Sequence, residues 1–419
     1  MSKIKLSRRD FLKLTGAAAT SLALSACGMK ATELSTPALA PVATLTPEST
    51  ATETETLTPT LTSTPTLTPT PKPPTVGDLG RKIGLDIGIC TRIKQWDKFR
   101  DPKYVNALLN FSMLEDGMAS NPFFTDSNWS TGQGNAFDYM DYLSDFTLKN
   151  NMGYSPNHLF WEGYFVNKNS PVYHLLNASN DEIEKWMNDR VKKFFEIPYF
   201  SYVNFANEAI NSNWNTKQPV WNSRPSPMYK VFGQDWVEKA YRLTWNEAKN
   251  TGKTIGEHLH LVYNTAGLET ESPRADYEFK FLSELKSRLS QDFGIARPFD
   301  IGMQFHVRCS GGLLASQLDK KKIIKQIQRF GEIGDIRITE FSICDPTDIE
   351  KEKAILNTVI ESAIESGVCR SFLMWDAFAP LESNTTQKDL EFSMLHLFDK
   401  DYQPLYMFNE LYNTLQSYS

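Results

Sequence analysis

The chain has 419 residues, 41% hydrophobic and 22% charged, with a net charge of −6, a balance that fits a globular protein with ample core. The negative charge offers no basic footprint for nucleic acid, and no apolar run is long enough for a permanent membrane span. Aromatic residues at 12% suit core packing or a sugar-stacking cleft, and composition alone favours packing.

The first 27 residues read as an export and lipoprotein signal whose cleavage leaves Cys27 as the mature first residue. "SRRDFLKLTGAAATSLALSAC" combines Arg8 and Arg9, a modest apolar stretch and small residues ending at Cys27. It resembles the twin-arginine pattern S/T-R-R-x-F-L-K at every fixed position, and "LSAC" resembles a lipobox in which Cys27 is lipidated. These motifs predict export by the twin-arginine pathway and an extracytoplasmic lipoprotein at the cell surface or in the envelope. The membrane is then a partner through the lipid anchor, which holds better with two or more chains than with one.

Residues 28–75 carry "PTLTSTPTLTPTPKPPT", without apolar periodicity and with little to bury. The expectation is a disordered or extended Thr/Pro-rich linker. In polyproline II, at roughly 3.1 Å per residue, such a stalk reaches on the order of 100 Å.

Residues 76–419 read as one domain. Its four cysteines, Cys90, Cys309, Cys344 and Cys369, allow several disulfide pairings or buried thiols, and the sequence does not choose. Strand-like runs fall at 82–89, 108–114, 153–161, 199–207, 259–264, 299–306, 336–343 and 371–378. Between them lie amphipathic stretches, clearest at 181–196 and 233–250, with apolar residues at i, i+3, i+4 and i+7. An Asn-Asp pair caps the first of these. Two more, "KKKIIKQIQRFGEIG" and "EKAILNTVIESAIESG", end on Gly as helices often do.

Eight strands alternating with helices predict an α/β fold with a parallel sheet, a (β/α)8 TIM barrel. A doubly wound open sheet would want a Gly-rich phosphate turn after its first strand, and "GLDIGIC" is not one. Barrel sites lie at the C-terminal strand ends. The candidates there are Glu115, Trp161, Asn207, Glu208, Asn264, Gln304, His306, Glu340 and Trp375. Glu208 and Glu340 close the fourth and seventh strands. A carboxylate pair facing a pocket is what glycoside hydrolysis requires, provided that their surroundings push the two pKa values apart. His258 and His260 share a strand face, but no third ligand of metal-site spacing accompanies them, so no metal or cofactor is expected. Trp161 and Trp375 suit sugar stacking or packing at the barrel mouth; Trp186 and Trp236 read as core anchors.

At these residues the chain resembles glycoside hydrolase family 10, whose best-known members are endo-β-1,4-xylanases. "YVNFANEAI" is similar to the family's acid/base strand W-D-V-V-N-E-A, and "IRITEFSI" to its nucleophile strand I-T-E-L-D-I. "FDIGMQFH" is similar to I-D-G-I-G-M-Q-S-H, and "LFDKDYQPLYMFNEL" to the closing phrase before the last helix. The resemblance runs over about 82–415. It implies Glu208 as general acid/base, Glu340 as nucleophile and Asn207 as donor to the sugar 2-hydroxyl. Gln304 and His306, two residues apart, are expected on the same strand face; the resemblance further implies that His306 holds Glu340, that Gln304 lines the site, and that configuration is retained. The two carboxyls would then lie roughly 5–5.5 Å apart.

The sugar side departs from the family pattern. In "LEDGMAS", Glu115 and Met118 match, but Asp116, Ala119 and Ser120 stand for Asn, Lys and Trp. In "PNHLFWE", Trp161 stays, Asn157 and Glu162 stand for two His, and His158, one step off, is expected on the opposite face. "YNTAG" keeps Asn264 and loses an Asp, and Ser383 stands where a second Trp is expected. Glu115, Asn157, Trp161, Asn264 and Trp375 are the candidate substrate contacts. The substrate implied is xylan or a related β-glycan, gripped differently from the family pattern by what reads as a monomer. A surface-anchored glycan-binding protein on this scaffold and a β-glycanase for another substrate are the alternatives.

Overall fold

The computed structural model describes residues 72–117, 136–166, 168–210, 226–307, 314–344, 348–375, 378 and 396–419. The chain divides into two units, Met1–Pro69 and Thr70–Ser419. The first lies outside the described residues, and with it Arg8, Arg9, Cys27 and most of the expected linker.

Nine strands occur among the described residues: Asp86–Cys90 (β1), Met113–Glu115 (β2), Gly153–Ser155 (β3), Tyr202–Asn207 (β4), His260–Thr265 (β5), Asp300–Met303 (β6), His306–Val307 (β7), Ile336–Ile343 (β8) and Cys369–Met374 (β9). Every registered pair is parallel, in the order β3-β2-β1-β9-β8-β6-β5-β4, with β7 beside β8. β6 and β7 are two pieces of one barrel stave, so the eight staves are those expected. Between β3 and β4 the circle closes through backbone bonds rather than a regular ladder. Ser201 N–H donates to Tyr154 O (2.9 Å), Leu159 N–H to Asn204 O (2.8 Å) and Asn207 N–H to Phe160 O (2.9 Å).

The α-helices among the described residues are Val76–Lys82 (α1), Pro102–Leu108 (α2), Ala136–Lys149 (α3), Asn180–Phe194 (α4), Pro227–Phe232 (α5), Trp236–Asn250 (α6), Pro273–Phe293 (α7), Lys320–Gly331 (α8), Ile349–Ser366 (α9) and Tyr406–Tyr418 (α10). α4 starts one residue earlier than the Asn-Asp signal suggests. Ser179 is the N-cap, and its hydroxyl and Glu182 satisfy each other's backbone N–H in a capping box. α9 stops at Gly367, whose φ of 72° only glycine adopts without strain. Several expected strands shrink because helix ends intrude: 82–89 begins inside α1, and 108–114 at the end of α2.

Two apolar clusters arise from the period-2 alternation of buried strands. Outward residues such as Ile87, Val203, Phe205, Tyr263, Ile301 and Phe372 pack under the helices, joined by the fully buried Trp236. Inward residues Cys90, Met113, Tyr202, Val262, Leu373 and Trp375 form a separate cluster inside the barrel. Below it, at the N-terminal ends of the strands, the barrel floor is ionic. Arg337 donates to Asp300 Oδ2 (Nη2, 2.7 Å), and its Cζ lies 4.0 Å from the Tyr202 ring centroid. His260 Nδ1 stands 3.1 Å from Asp300, and Tyr202 donates to Asp86 (2.9 Å). Burial alone would raise the Asp300 carboxyl, but Arg337 and His260 outweigh it and hold it below its usual value. His260 is thus a floor residue. His258 lies before β5 and is exposed, so the two do not share a strand face.

Candidate active site

β4 delivers Asn207 and Glu208 together, which a regular strand cannot do, since neighbouring residues point to opposite faces. Two backbone departures make it possible. The β4–β5 register shifts between Asn204 and Ala206, and Glu208 takes a positive φ of 46°. Glu208 N–H then donates to Asn264 O (2.8 Å). Gln304 Nε2 reaches both side chains, at 3.3 Å from Asn207 Oδ1 and 3.2 Å from Glu208 Oε1. The second Glu208 oxygen accepts from Trp161 Nε1 (3.1 Å).

β8 repeats the device. Its register against β9 shifts between Ile338 and Phe341, and the consecutive residues Thr339 and Glu340 both meet the side chain of Asn264. Thr339 Oγ1 donates to Asn264 Oδ1 (2.6 Å), while Asn264 Nδ2 donates to Glu340 Oε1 (2.7 Å). The same Nδ2 also donates to Asn207 Oδ1 (2.8 Å). The fully buried Asn264 therefore has its polar atoms committed to protein partners. Its side chain links Asn207 on β4 to Glu340 and Thr339 on β8. Gly302 makes room for it: a Cβ there would stand 2.4 Å from Asn264 Oδ1.

Glu340 is 5% exposed, and its other oxygen lies 3.3 Å from His306 Nε2. His306 Nδ1 meets Ser342 Oγ at 2.6 Å. Burial would lower the imidazole pKa, but the hydrogen bond and charge of Glu340, with Glu269 and Glu208 further off, raise it. Gln304 and His306 do not lie on one regular strand face. Phe305 between them has φ 53°, which ends β6 and starts β7, so one residue turns to Glu208 and the other to Glu340.

Beside β2 and β3 the polar groups are largely satisfied from within. Asn157 Nδ2 donates to Glu115 Oε1 (2.8 Å), and Asn157 N–H donates to Asp116 Oδ1 (3.0 Å). Tyr154 donates to Asp116 Oδ2 (3.3 Å), and Asn204 Nδ2 donates to Asn157 Oδ1. His158 Nδ1 is 3.4 Å from the same Asn204 amide, so His158 does not turn away from Asn157. β3 ends at Ser155 before Pro156, and the two-residue alternation stops there. Burial pushes the His158 imidazole down to about 4, against the pull of Glu340 and Glu208. Burial also pushes Glu115 well above the usual carboxyl range, helped by the charges of Glu340 and Asp116.

The aromatic candidates separate. Trp161 stands at the carboxyl pair, edge-on to Tyr164 at 5.6 Å, and a Cβ at Gly163 would stand 2.4 Å from its ring. Trp375 is largely packed into the cluster inside the barrel. Cys344 is disulfide-bonded and Cys369 is a buried free thiol. Met118, Ala119, Ser120, Cys309 and Ser383 lie outside the described residues. Sequence reading missed Asn204, Thr339, Ser342 and Glu269. Thr339 and Ser342 flank Glu340 closely enough to be suspected, but only the register shift and the His306 contact assign them to the site.

Residues 80–414 match the family model described as Glycosyl hydrolase family 10. Endo-1,4-beta-xylanase B of Neocallimastix patriciarum is 25% identical over 324 residues, 76% of this chain and 33% of that protein. The match thus spans about a third of that relative's length. Among solved structures, native xylanase 10B of Thermotoga maritima gives a TM-score of 0.64 at 18% identity, covering 82% of this chain and 98% of that one. Xylanase 10B of Thermotoga petrophila RKU-1 in complex with xylobiose gives 0.65 at 18%, covering 83% and 99%. At these identities the structural likeness concerns the fold, the (β/α)8 barrel.

The raised pKa of the buried Glu115 yields a prediction. A carboxyl raised in the folded state costs stability as pH rises above its unfolded value, near 4.5. Glu115→Gln, which mimics the neutral form, should melt higher than wild type at pH 7, and the gap should close as pH falls through the ordinary carboxyl range. Scanning calorimetry across that range would show it; a gap independent of pH would contradict the assignment.

Proposed function

Since the chain belongs to glycosyl hydrolase family 10, we propose that it cleaves β-1,4-linked xylan or a related β-glycan by double displacement with retention. The observation that carries this reading is the hydrogen-bonded path from one carboxyl to the other. It runs from Glu208 through Gln304, Asn207 and Asn264 to Glu340. Glu340, paired with His306, attacks the anomeric carbon while Glu208 protonates the leaving oxygen. A water deprotonated by Glu208 then attacks the same carbon and releases Glu340. Trp161 and Gln304 each donate to one Glu208 oxygen and so fix the orientation of its carboxyl.

Asn207 completes the arrangement. Two donors converge on its Oδ1, which fixes the amide orientation. Its Nδ2 has no acceptor among the described residues and is the group assigned to the sugar 2-hydroxyl, a contact that strengthens as charge develops at the anomeric centre. Asn157 donates to Glu115 and to Asp116, and Tyr154 donates to Asp116. With Ala119 and Ser120 in place of a Lys and a Trp, recognition on the non-reducing side is altered from the family pattern.

Glu208→Gln should lower kcat/KM on xylan and on aryl β-glycosides by about 10²–10⁴-fold, with Glu340→Gln at least as damaging and binding retained in both. If wild type hydrolyses no β-glycan in a screen of xylan, arabinoxylan, mixed-linkage glucan and aryl glycosides, yet binds one, the glycan-binding alternative holds instead.

The twin-arginine and lipobox motifs support a proposal of export and anchoring through Cys27, with residues 28–75 as the stalk. Cys27→Ser should move the exported protein from the membrane fraction to the soluble one. An unchanged membrane fraction would refute the anchor.

A further inference from the structure

We infer that Glu269 is a positioning residue: by accepting the Phe305 N–H it fixes the left-handed turn that sends Gln304 to one carboxyl and His306 to the other. The inference rests on the reading of Glu208 and Glu340 as the reacting pair. Its geometry is direct. Phe305 N–H donates to Glu269 Oε1 at 3.1 Å, and Glu269 is 2% exposed, on the segment after β5.

Phe305 needs such a partner for two reasons. Its positive φ is a conformation that L-residues adopt only when the surroundings impose it. Its side chain is fully buried in the core between barrel and helices, so glycine could not replace it without leaving a cavity. The neighbouring backbone groups already have ladder partners: Gln304 N–H donates to Thr265 O (3.2 Å), and Ser342 N–H to Phe305 O (3.4 Å). The Phe305 N–H is left over where β6 breaks into β7, and a buried N–H without a partner is costly. Glu269 fills that place from a different stave.

A neutral acceptor would serve the turn equally well, so the choice of a carboxylate has a second consequence. The groups facing His306 are Glu340 and Ser342 on β8, Glu269 after β5 and Glu208 at the end of β4. Among the acids, Glu269 raises the His306 pKa without being one of the reacting carboxyls. It therefore acts on the site both through the backbone and through its charge.

Two substitutions in the full chain separate these effects. Glu269→Gln keeps a carbonyl acceptor for Phe305 and removes the charge; Glu269→Ala removes both. The ring resonances of His306, one of six histidines, are assigned by loss in His306→Gln and followed by NMR against pH. Glu269→Gln should lower the His306 midpoint and move the alkaline limb of the pH profile the same way, with a smaller loss of kcat on an aryl β-xyloside than Glu269→Ala. Glu269→Ala should lower kcat by at least about tenfold with KM nearly unchanged. An unmoved His306 midpoint in Glu269→Gln overturns the inference, as do equal losses of kcat in both variants. If wild type hydrolyses no substrate, the proposed function falls while the NMR titration still tests Glu269.

Discussion

The side-chain amide of Asn264 is the point on which the site depends. One buried group gives its nitrogen to Asn207 and Glu340 and its oxygen to Thr339, while its backbone carbonyl receives Glu208 N–H. Four residues from two staves are registered against one residue from the stave beside β4. The amide suits this work because it both donates and accepts. An Asp there could not donate to Glu340 while ionised, and would add a charge beside it. The space that Gly302 leaves is part of the same device.

Around that centre the strands abandon regularity where chemistry needs it. An even pleat delivers every second residue to the barrel mouth, and a two-carboxyl site built that way would have one functional group per strand end. Here β4 and β8 each place consecutive residues in the site by a register shift, and positive φ at Glu208 and Phe305 redirects the chain beyond them. Bulges and strained residues of this kind gather at functional sites because the surrounding structure must hold them. The buried charges of the barrel floor, Arg337 with Asp300, show the opposite strategy at the other end. There, charged groups of opposite sign are paired with little exposure to water.

Much of this was legible in the residues. Eight strand-like runs alternating with amphipathic helices specify the barrel, and the strand-end rule picks out Glu208, Glu340, Gln304 and His306 without coordinates. What the residues could not convey is conformation that breaks a period. The reading that put Gln304 and His306 on one face assumed an unbroken strand, and Phe305 breaks it. The expectation that His158 points away from Asn157 assumed that β3 continues past Pro156, which it does not. The role of Asn264 was hidden for another reason: a strand-end Asn looks the same whether it faces a sugar or links Asn207 to Glu340.

In the proposed mechanism Glu340 becomes covalently bonded to the sugar while Glu208 exchanges the proton. Incubation of the protein with a 2-fluorinated aryl β-xylobioside, followed by proteolysis and mass spectrometry, tests this directly. The slowed second step should leave the fluorosugar on the peptide that contains Glu340, with none on the peptide that contains Glu208. A label on the Glu208 peptide, or hydrolysis of an unmodified substrate with inversion and no adduct, would contradict it.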